Sequence, residues 1–274
     1  MPIEERADIQ ATVATAGQEN VAEDKLGILE PLRASLVLAQ AGASYMTGLV
    51  GNVSIPVYSG SNVGWAGEVT AASDGAGTFS EVNLEPKRLT AYIDVSKQFL
   101  IQDSNSAEEM LKRDIVSAIS NKLEATILGT AAGSATQPAG LLNGVTADTA
   151  AVTYTDFVNM EATLGEKNVR GDIKFIVSPS AKAVLKSTAK NQNSFIMEGN
   201  EVNGYPVLCT SAVAGKGIVY GNFADLVIGQ WGGIDLTVDP YTQAANGKVR
   251  LVINAYFDAK PRRAEAFVKK VLKA

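Results

Sequence analysis

Residues 106–129 read SAEEMLKRDIVSAISNKLEATILG, and they carry the clearest helical pattern in the chain. Apolar residues recur at every fourth position, which is the spacing of one face of an α-helix. They are Leu111, Ile115, Ile119, Leu123 and Ile127. Ser106 and Glu109 have the spacing of a capping box, and Gly129 is a helix terminator. At about 1.5 Å per residue, the predicted helix is roughly 33 Å long, enough to span a domain.

The residues before this helix predict a long two-stranded β-hairpin. Residues 51–85 are rich in Gly, Ser, Asn and Thr. The turn signal is at 73–77, where Asp74-Gly75 favours the positive φ of a hairpin turn. Residues 88–95 then alternate polar and apolar with the period of a strand, which predicts the returning arm. Because an isolated hairpin is marginal in water, we expect it to rest on a neighbouring molecule.

Beyond residue 144 the pattern alternates between short helices and strands, which predicts an α+β chain. A short helix is expected at 155–164 and a buried strand at 173–177. Ser178 followed by Pro179 is an N-cap with proline at the first helical position, opening a helix to about residue 190. Further strands are expected near 205–210, 217–220, 225–229, 234–238 and 248–257.

The first part of the chain is unusual in its charge distribution. Residues 1–30 are polar and irregular, which is typical of an arm that gains order on another surface. From Ala34 to Gly67 there is no charged residue. Soluble monomers rarely leave so long a segment uncharged, so we expect other subunits to cover it, with simple core as the alternative.

Composition excludes several function classes. The chain of 274 residues has no histidine and one cysteine, Cys209, which we expect to be buried and inert in a strand. The commonest general base and most metal centres are therefore missing. A net charge of −5 disfavours tight binding of nucleic acid. No phosphate-binding or dinucleotide motif, secretory signal or membrane span is present in the sequence pattern, so we expect no enzyme, cofactor, metal or membrane.

Two aromatic residues and a basic pair remain as candidates for interaction. Trp65 and Trp231 favour packing anchors over ligand platforms. Arg262 and Arg263 could contact DNA, although a solvated end or an intersubunit ion pair is the more ordinary interpretation.

Several segments, in order, resemble the tailed-bacteriophage major capsid proteins. They are GWAGE at 64–68, FSEVNLEPKRL at 79–89, VSKQ at 95–98, PAGLL at 138–142, IVSPS at 176–180, NGYPV at 203–207, VYGNF at 219–223 and AEAFV at 264–268. Each motif is weak alone, but the ordered set covers about residues 50–270 and is specific.

The resemblance implies an α+β fold of the Hong Kong 97 type with four parts. These are an N-terminal arm at 1–45, an extended loop at 58–95, a peripheral domain at 46–57, 96–145 and part of 237–274 with the spine helix 106–129, and an axial domain at 146–236. Final strands would be shared between the two domains. Many relatives also carry a cleavable scaffolding segment; with only about 45 residues before the matching region, we expect it absent or already removed.

The same resemblance implies a structural protein of the virion. Copies would form pentamers and hexamers of an icosahedral shell around double-stranded DNA, assembled in the host bacterial cytoplasm with a portal and a scaffold or protease. Candidate intersubunit contacts are Trp65, Glu68, Phe79, Glu81, Lys87, Arg88, Arg262 and Arg263. The loop tip, 66–81, has no lysine for the cross-link that some relatives form. An encapsulin nanocompartment, or a soluble β-rich hydrolase or binding protein, are the alternatives.

Overall fold

The computed structural model describes residues 37–98 and 106–273, with only the backbone described for 106–112. Its helices are α1 (Leu38–Ala41), α2 (Ser106–Ile127), α3 (Tyr154–Glu166) and α4 (Pro179–Ser187). Its strands are β1 (Ser44–Met46), β2 (Val53–Tyr58), β3 (Phe79–Leu84), β4 (Lys87–Ser96), β5 (Ile173–Val177), β6 (Ala189–Asn191), β7 (Ser194–Phe195), β8 (Glu201–Val202), β9 (Tyr205–Cys209), β10 (Gly217–Asn222), β11 (Leu226–Asp239), β12 (Lys248–Pro261) and β13 (Phe267–Val271).

The first sheet has four strands in the order β1-β11-β12-β4, with β1 parallel to β11 and the other pairs antiparallel. Helix α2 packs on one face of this sheet. Ile115 and Ile119 of the helix lie in one buried cluster with Ile253, Ala255 and Phe257 of β12. The apolar face of the helix, with residues four apart, therefore packs on the inward-facing residues of the strand, which are two apart.

The second sheet has five strands in the order β13-β10-β5-β9-β8. Helices α3 and α4 contribute Phe157 and Leu185 to the buried cluster on one of its faces. Phe175 stacks on Tyr220 at 4.1 Å between ring centroids in this cluster. The opposite-facing Ile176 belongs to a separate cluster that also contains residues of β11 and the end of α2. This shared core joins the two sheets in one compact unit.

Most elements expected after the long helix are confirmed. The N-cap is confirmed as well, since the Ser178 hydroxyl accepts a hydrogen bond from Ala181 N at 3.1 Å. The helix predicted at 106–129 is present and ends at Ile127, whereas the predicted capping-box side chains lie outside the described ones. The strands expected at 225–229 and 234–238 are one strand, β11, with an irregularity between Trp231 and Asp235. Within the described ranges, no helix is long and apolar enough to cross a membrane.

Glu124 on α2 is a buried carboxylate that holds the start of α1. Its side chain is 2 % exposed, and Oε1 accepts hydrogen bonds from the backbone N–H groups of Val37 and Leu38, each at 2.7 Å. Oε2 is buried without a hydrogen-bond partner. Burial raises the pKa of Glu124, although the two backbone hydrogen bonds oppose the shift. The carboxylate therefore orders the α1 backbone while paying a desolvation penalty for its charge.

We expect Glu124→Gln to remove a pH dependence from the free energy of unfolding. Because the folded pKa of Glu124 is raised, its stabilising contribution is full below the unfolded pKa and is lost as pH rises through the folded pKa. Glutamine does not titrate. The unfolding free energy of the variant minus that of the wild type should therefore increase from about pH 4 to about pH 8 in urea titrations of unassembled chain. A difference that does not change with pH would contradict the assignment.

Candidate assembly interface

A two-stranded ribbon projects from the body of the molecule at residues 53–84. Strands β2 and β3 pair antiparallel from Val53 opposite Leu84 to Tyr58 opposite Phe79. The pairing continues past the strands, with Asn62 N bonded to Gly75 O at 3.0 Å. The chain reverses at 67–70, where Thr70 N donates to Gly67 O. Each arm has about 14 residues, which if fully extended would span at most roughly 45 Å.

Two details of the predicted β-hairpin were wrong. Asp74-Gly75 does not form the terminal turn; Asp74 Oδ1 accepts from Ala76 N on the returning arm, and the φ of Gly75 is not positive. The strand expected as the returning arm, now β4, pairs with β12 of the first sheet and not with the ribbon. The paired ribbon therefore covers 53–84 and excludes β4, because alternation indicates a strand but not its partner.

Close backbone approach explains two glycines of the returning arm. A Cβ added at Gly75 would lie 2.1 Å from the carbonyl oxygen of Asn62. At Gly77 it would lie 2.2 Å from Gly60 O and 2.6 Å from the ring of Tyr58. Tyr58 in turn packs on Phe79 and accepts a hydrogen bond from Gly77 N through its hydroxyl. Glycine at these positions allows the two arms to lie together beyond the regular strands.

We expect Gly77→Ala to distort the ribbon and to reduce the yield of assembled particles, because the facing backbone or the Tyr58 ring must move. Overpacking of this kind costs about 1–3 kcal/mol, which corresponds to roughly 5- to 150-fold in an association equilibrium. The matched control is Gly64→Ala, whose Cβ would meet nothing closer than Ser73 Oγ at 3.4 Å. Particle yield can be measured by sedimentation. Equal yields from the two variants would refute the expectation.

The foot of the ribbon is anchored in the body. Leu84 is fully buried in a small cluster with Val227 and Trp231. The indole N–H of Trp231 donates to Gly51 O at 2.6 Å, beside the start of β2. Trp231 is thus confirmed as a packing anchor. These contacts fix the direction in which the ribbon leaves the body.

Asp258 supplies a second anchor at the foot. Its side chain is 0 % exposed. It accepts hydrogen bonds from Glu85 N, Ala259 N and the ammonium group of Lys87, each at 3.0 Å. The Lys87 side chain is only 9 % exposed. Lys87, expected to contact another subunit, therefore has an internal role: it pairs with a buried carboxylate where β3 passes into β4.

The outer part of the ribbon has no cover within the described chain. Residues 59–74 are all exposed. Large apolar side chains stand in water there: Val63 is 92 %, Val69 99 % and Trp65 fully exposed, and Phe79 is 78 % exposed nearer the foot. Trp65 is therefore not a packing anchor within its own subunit. Val63, Trp65 and Val69 lie within seven residues of one another in the sequence, and exposed apolar side chains grouped in this way mark an interaction surface.

The ribbon is also acidic. Residues 53–84 contain Glu68, Asp74 and Glu81 and no basic residue, which gives the ribbon a formal charge of −3. Glu81 accepts a hydrogen bond from the Ser54 hydroxyl across the ribbon. An exposed apolar surface bordered by carboxylates would suit a receptor that is apolar in the centre and basic at its rim.

The structure separates the predicted contact residues into three places. Trp65, Glu68, Phe79 and Glu81 lie on the ribbon, and Lys87 and Arg88 lie on β4 at its foot. Arg262 and Arg263 are exposed before β13, and Arg263 lines a depression with Lys167 and Arg170. Sequence reasoning missed Asp258 and Glu124. A single acid within the apolar run Tyr256-Phe257-Asp258-Ala259 was the available signal for Asp258.

Cys209 lies in β9 as expected, but it is partly exposed and not buried. Its strand is next to β8 at the edge of the second sheet, where cover is incomplete. Among the side chains of the described ranges, no group of three or more His, Cys, Asp or Glu is placed to hold a metal ion.

Comparison with known proteins identifies the class to which this fold and this projecting ribbon belong. Residues 24–272 match the phage capsid family. The major capsid protein of Halomonas phage phiHAP-1 is 30% identical over 251 residues, covering 87% of this chain and 41% of that protein. The chain therefore spans about two fifths of the length of that curated relative.

Solved structures agree in fold. A chain from the capsid of a native GTA particle, computed with C5 symmetry, matches with a TM-score of 0.78 at 17% identity, covering 96% of this chain and 98% of that one. A chain from Gordonia phage Cozz matches with a TM-score of 0.69 at 14% identity, covering 100% and 99%. The chain has the fold of these solved chains. It belongs to the phage capsid family.

Proposed function

We propose that this chain is the major subunit of a tailed-phage head, assembling with copies of itself into pentamers and hexamers of an icosahedral shell around double-stranded DNA. The observation that carries the proposal is the ribbon at 53–84, which is anchored at its foot and bare along its outer half. The outer half of the ribbon exposes large apolar side chains that its own subunit does not cover, and a neighbour would cover them.

The contact with a neighbour would be heterologous. The ribbon leaves the body at one place, and the surface that covers it must belong to a different part of the next copy. Head-to-tail contacts of this kind close into rings when the rotation between copies permits it. Rings of five and six subunits are the closed forms that tile an icosahedral shell, so one repeated contact could serve both.

The charge of the chain fits a container better than a tight DNA binder. With a net charge of −5, it would enclose DNA without sequence-specific contacts. Arg262 and Arg263 are exposed and would meet either the packaged DNA or an acidic neighbour. By family resemblance we place the portal and a scaffold or protease among the partners, and assembly in the host bacterial cytoplasm. The proposed role is structural and involves no catalysis.

The test is the mass of the purified protein by size-exclusion chromatography with light scattering, across salt and protein concentration. We expect species of five or six subunits, or particles of megadalton mass. A monodisperse monomer or dimer under every condition, including co-expression with the neighbouring phage genes, would contradict the proposal. Particles that contain an enzyme cargo, from a gene without portal or terminase neighbours, would instead indicate an encapsulin.

A further inference from the structure

A depression on the body of the molecule is lined mostly by polar side chains. It has a volume of about 410 Å³ and lies between the end of α3, the turn after β10 and the turn before β13. The ionisable residues that line it are Lys167, Arg170, Asp225, Arg263 and Glu265. Arg262 precedes Arg263 in the chain, and all four basic side chains are exposed. The depression therefore concentrates positive charge on a chain whose net charge is −5.

Hydrogen bonds hold the backbone around the depression in place. The side-chain amide of Asn222 donates from Nδ2 to the carbonyl oxygen of Arg170 at 2.9 Å, and its Oδ1 accepts from Ala224 N at 3.1 Å. Arg262 N donates to the carbonyl oxygen of Asp225 at 2.7 Å. These bonds join the segments that carry the arginines. The guanidinium groups therefore extend from ordered backbone, which reduces the entropy lost when a ligand binds.

The positive charge of the depression is only partly neutralised. Glu265 Oε1 lies 3.8 Å from Lys167 Nζ, but both side chains are exposed and water screens the pair. In the part of the chain that the structure describes, no carboxylate forms an ion pair with Arg170, Arg262 or Arg263. Four basic and two acidic residues in and beside the depression give it a formal charge of +2. Three guanidinium groups are therefore open to an anionic partner.

We propose that this depression binds the phosphodiester backbone of the enclosed DNA, with Arg170 and Arg263 as the main phosphate contacts and Arg262 beside them. The inference rests on the proposed function and names the surface through which a subunit meets its DNA. A guanidinium group suits a phosphate because it presents parallel N–H donors to two oxygens at once. Phosphate contacts carry no sequence information, which agrees with the role of a container.

The lining of the depression favours a nucleic-acid backbone over an acidic segment of a protein. Protein interfaces have an apolar or aromatic centre from which water is excluded, and the exposed Trp65 of the ribbon is a side chain of that kind. The apolar residues that line the depression are Val169 and Ala266, and Ala266 is buried. A protein segment would therefore find little apolar surface to bury here, whereas a phosphate backbone needs only the cations.

The salt dependence of DNA binding tests the inference. Fluorescence anisotropy measures the association of unassembled full chain with a labelled DNA duplex of arbitrary sequence. With three phosphates contacted, the logarithm of the association constant should fall with the logarithm of salt concentration at a slope of about −2.7. Arg170→Gln and Arg263→Gln should each bring this slope about 0.9 closer to zero. Lys186→Gln, at an exposed lysine of α4, is the matched control and should leave the slope unchanged. A wild-type chain that does not bind the duplex at low salt, or an equal change of slope in the control, would overturn the inference.

Glu265→Gln should strengthen binding of the same duplex. The change removes an acid from the depression and releases Lys167 from its pair, so that a fourth cation can contact a phosphate. The salt slope should become steeper by about 0.9. Because damage to the fold would weaken binding, a gain cannot come from a structural effect alone. An unchanged or weaker affinity of this variant would contradict the site.

Particle yield separates DNA from a protein partner and the inference from the proposed function. Arg170→Gln and Arg263→Gln should form particles at the yield of the wild type, measured by sedimentation. A lower yield with unchanged duplex binding would place an acidic neighbouring subunit in the depression and overturn the inference. A wild-type chain that forms no particles would contradict the proposed function itself, so the two failures are distinguishable.

Discussion

A chain in which Gly60 is joined directly to Gly77, with residues 61–76 deleted, should fold normally and form no shells. Ser59 N donates to Thr78 O at 3.0 Å, so the deletion leaves a two-residue Gly-Gly loop between a bonded pair. Two-residue loops with glycine suit the twist of a hairpin. Strands β2 and β3 and the anchors at Leu84 and Asp258 remain. Only the bare outer part of the ribbon is lost.

Because residues 61–74 are exposed, their removal should change the free energy of unfolding by less than about 1 kcal/mol. Circular dichroism and urea titration measure the fold, and sedimentation with electron microscopy measures the shells. Shells of unaltered yield would show that the ribbon is not the assembly element. A chain that no longer folds would show that the ribbon contributes to the core, contrary to its exposure.

The second large effect is expected for Asp258→Ala. The change leaves the Lys87 ammonium group buried without its partner and removes the acceptor of two backbone N–H groups. Removing one partner of a buried pair destabilises by about 3–5 kcal/mol. The unfolding free energy from urea titration should fall by this amount. Because the foot loosens too, assembly should be impaired even where the chain still folds.

The control for this variant is an exposed ion pair of the same chain. Lys167 and Glu265 lie 3.8 Å apart, with side chains 50 % and 68 % exposed. Glu265→Ala should therefore change the unfolding free energy by less than about 1 kcal/mol, since water screens the pair and solvates the remaining lysine. If the two variants lose equal stability, the buried pair at the ribbon foot is not the anchor that its geometry indicates.

The long helix and the later α and β elements could be predicted because their patterns are local. Period, capping and turn residues act within a few positions, as Ser178 and Pro179 do at α4. Pairing over long distances is different. β4 alternates as strongly as a ribbon arm would, yet its inward residues Leu89 and Ile93 face α2. Alternation specifies a buried face, but it cannot specify whether ribbon or sheet supplies the neighbouring strand.

Only part of the candidate interface could be predicted, because contacts between residues far apart in the sequence leave no local pattern. Trp65, Glu68 and Phe79 were named as candidate contacts from segments that resemble the capsid family, and the structure leaves them exposed. Lys87 and Arg88 are adjacent in sequence, but one is bonded inside the subunit and the other faces outward. Their roles differ because Lys87 bonds to Asp258, which is 171 residues away in the sequence.

Electron microscopy of the purified full chain tests the central claim most directly, which is that the ribbon of each copy is covered by the next copy. We expect rings of five and six subunits within closed shells, and a reconstruction in which density for residues 61–76 lies across the neighbouring subunit. Shells in which this ribbon projects freely into solvent would contradict the account.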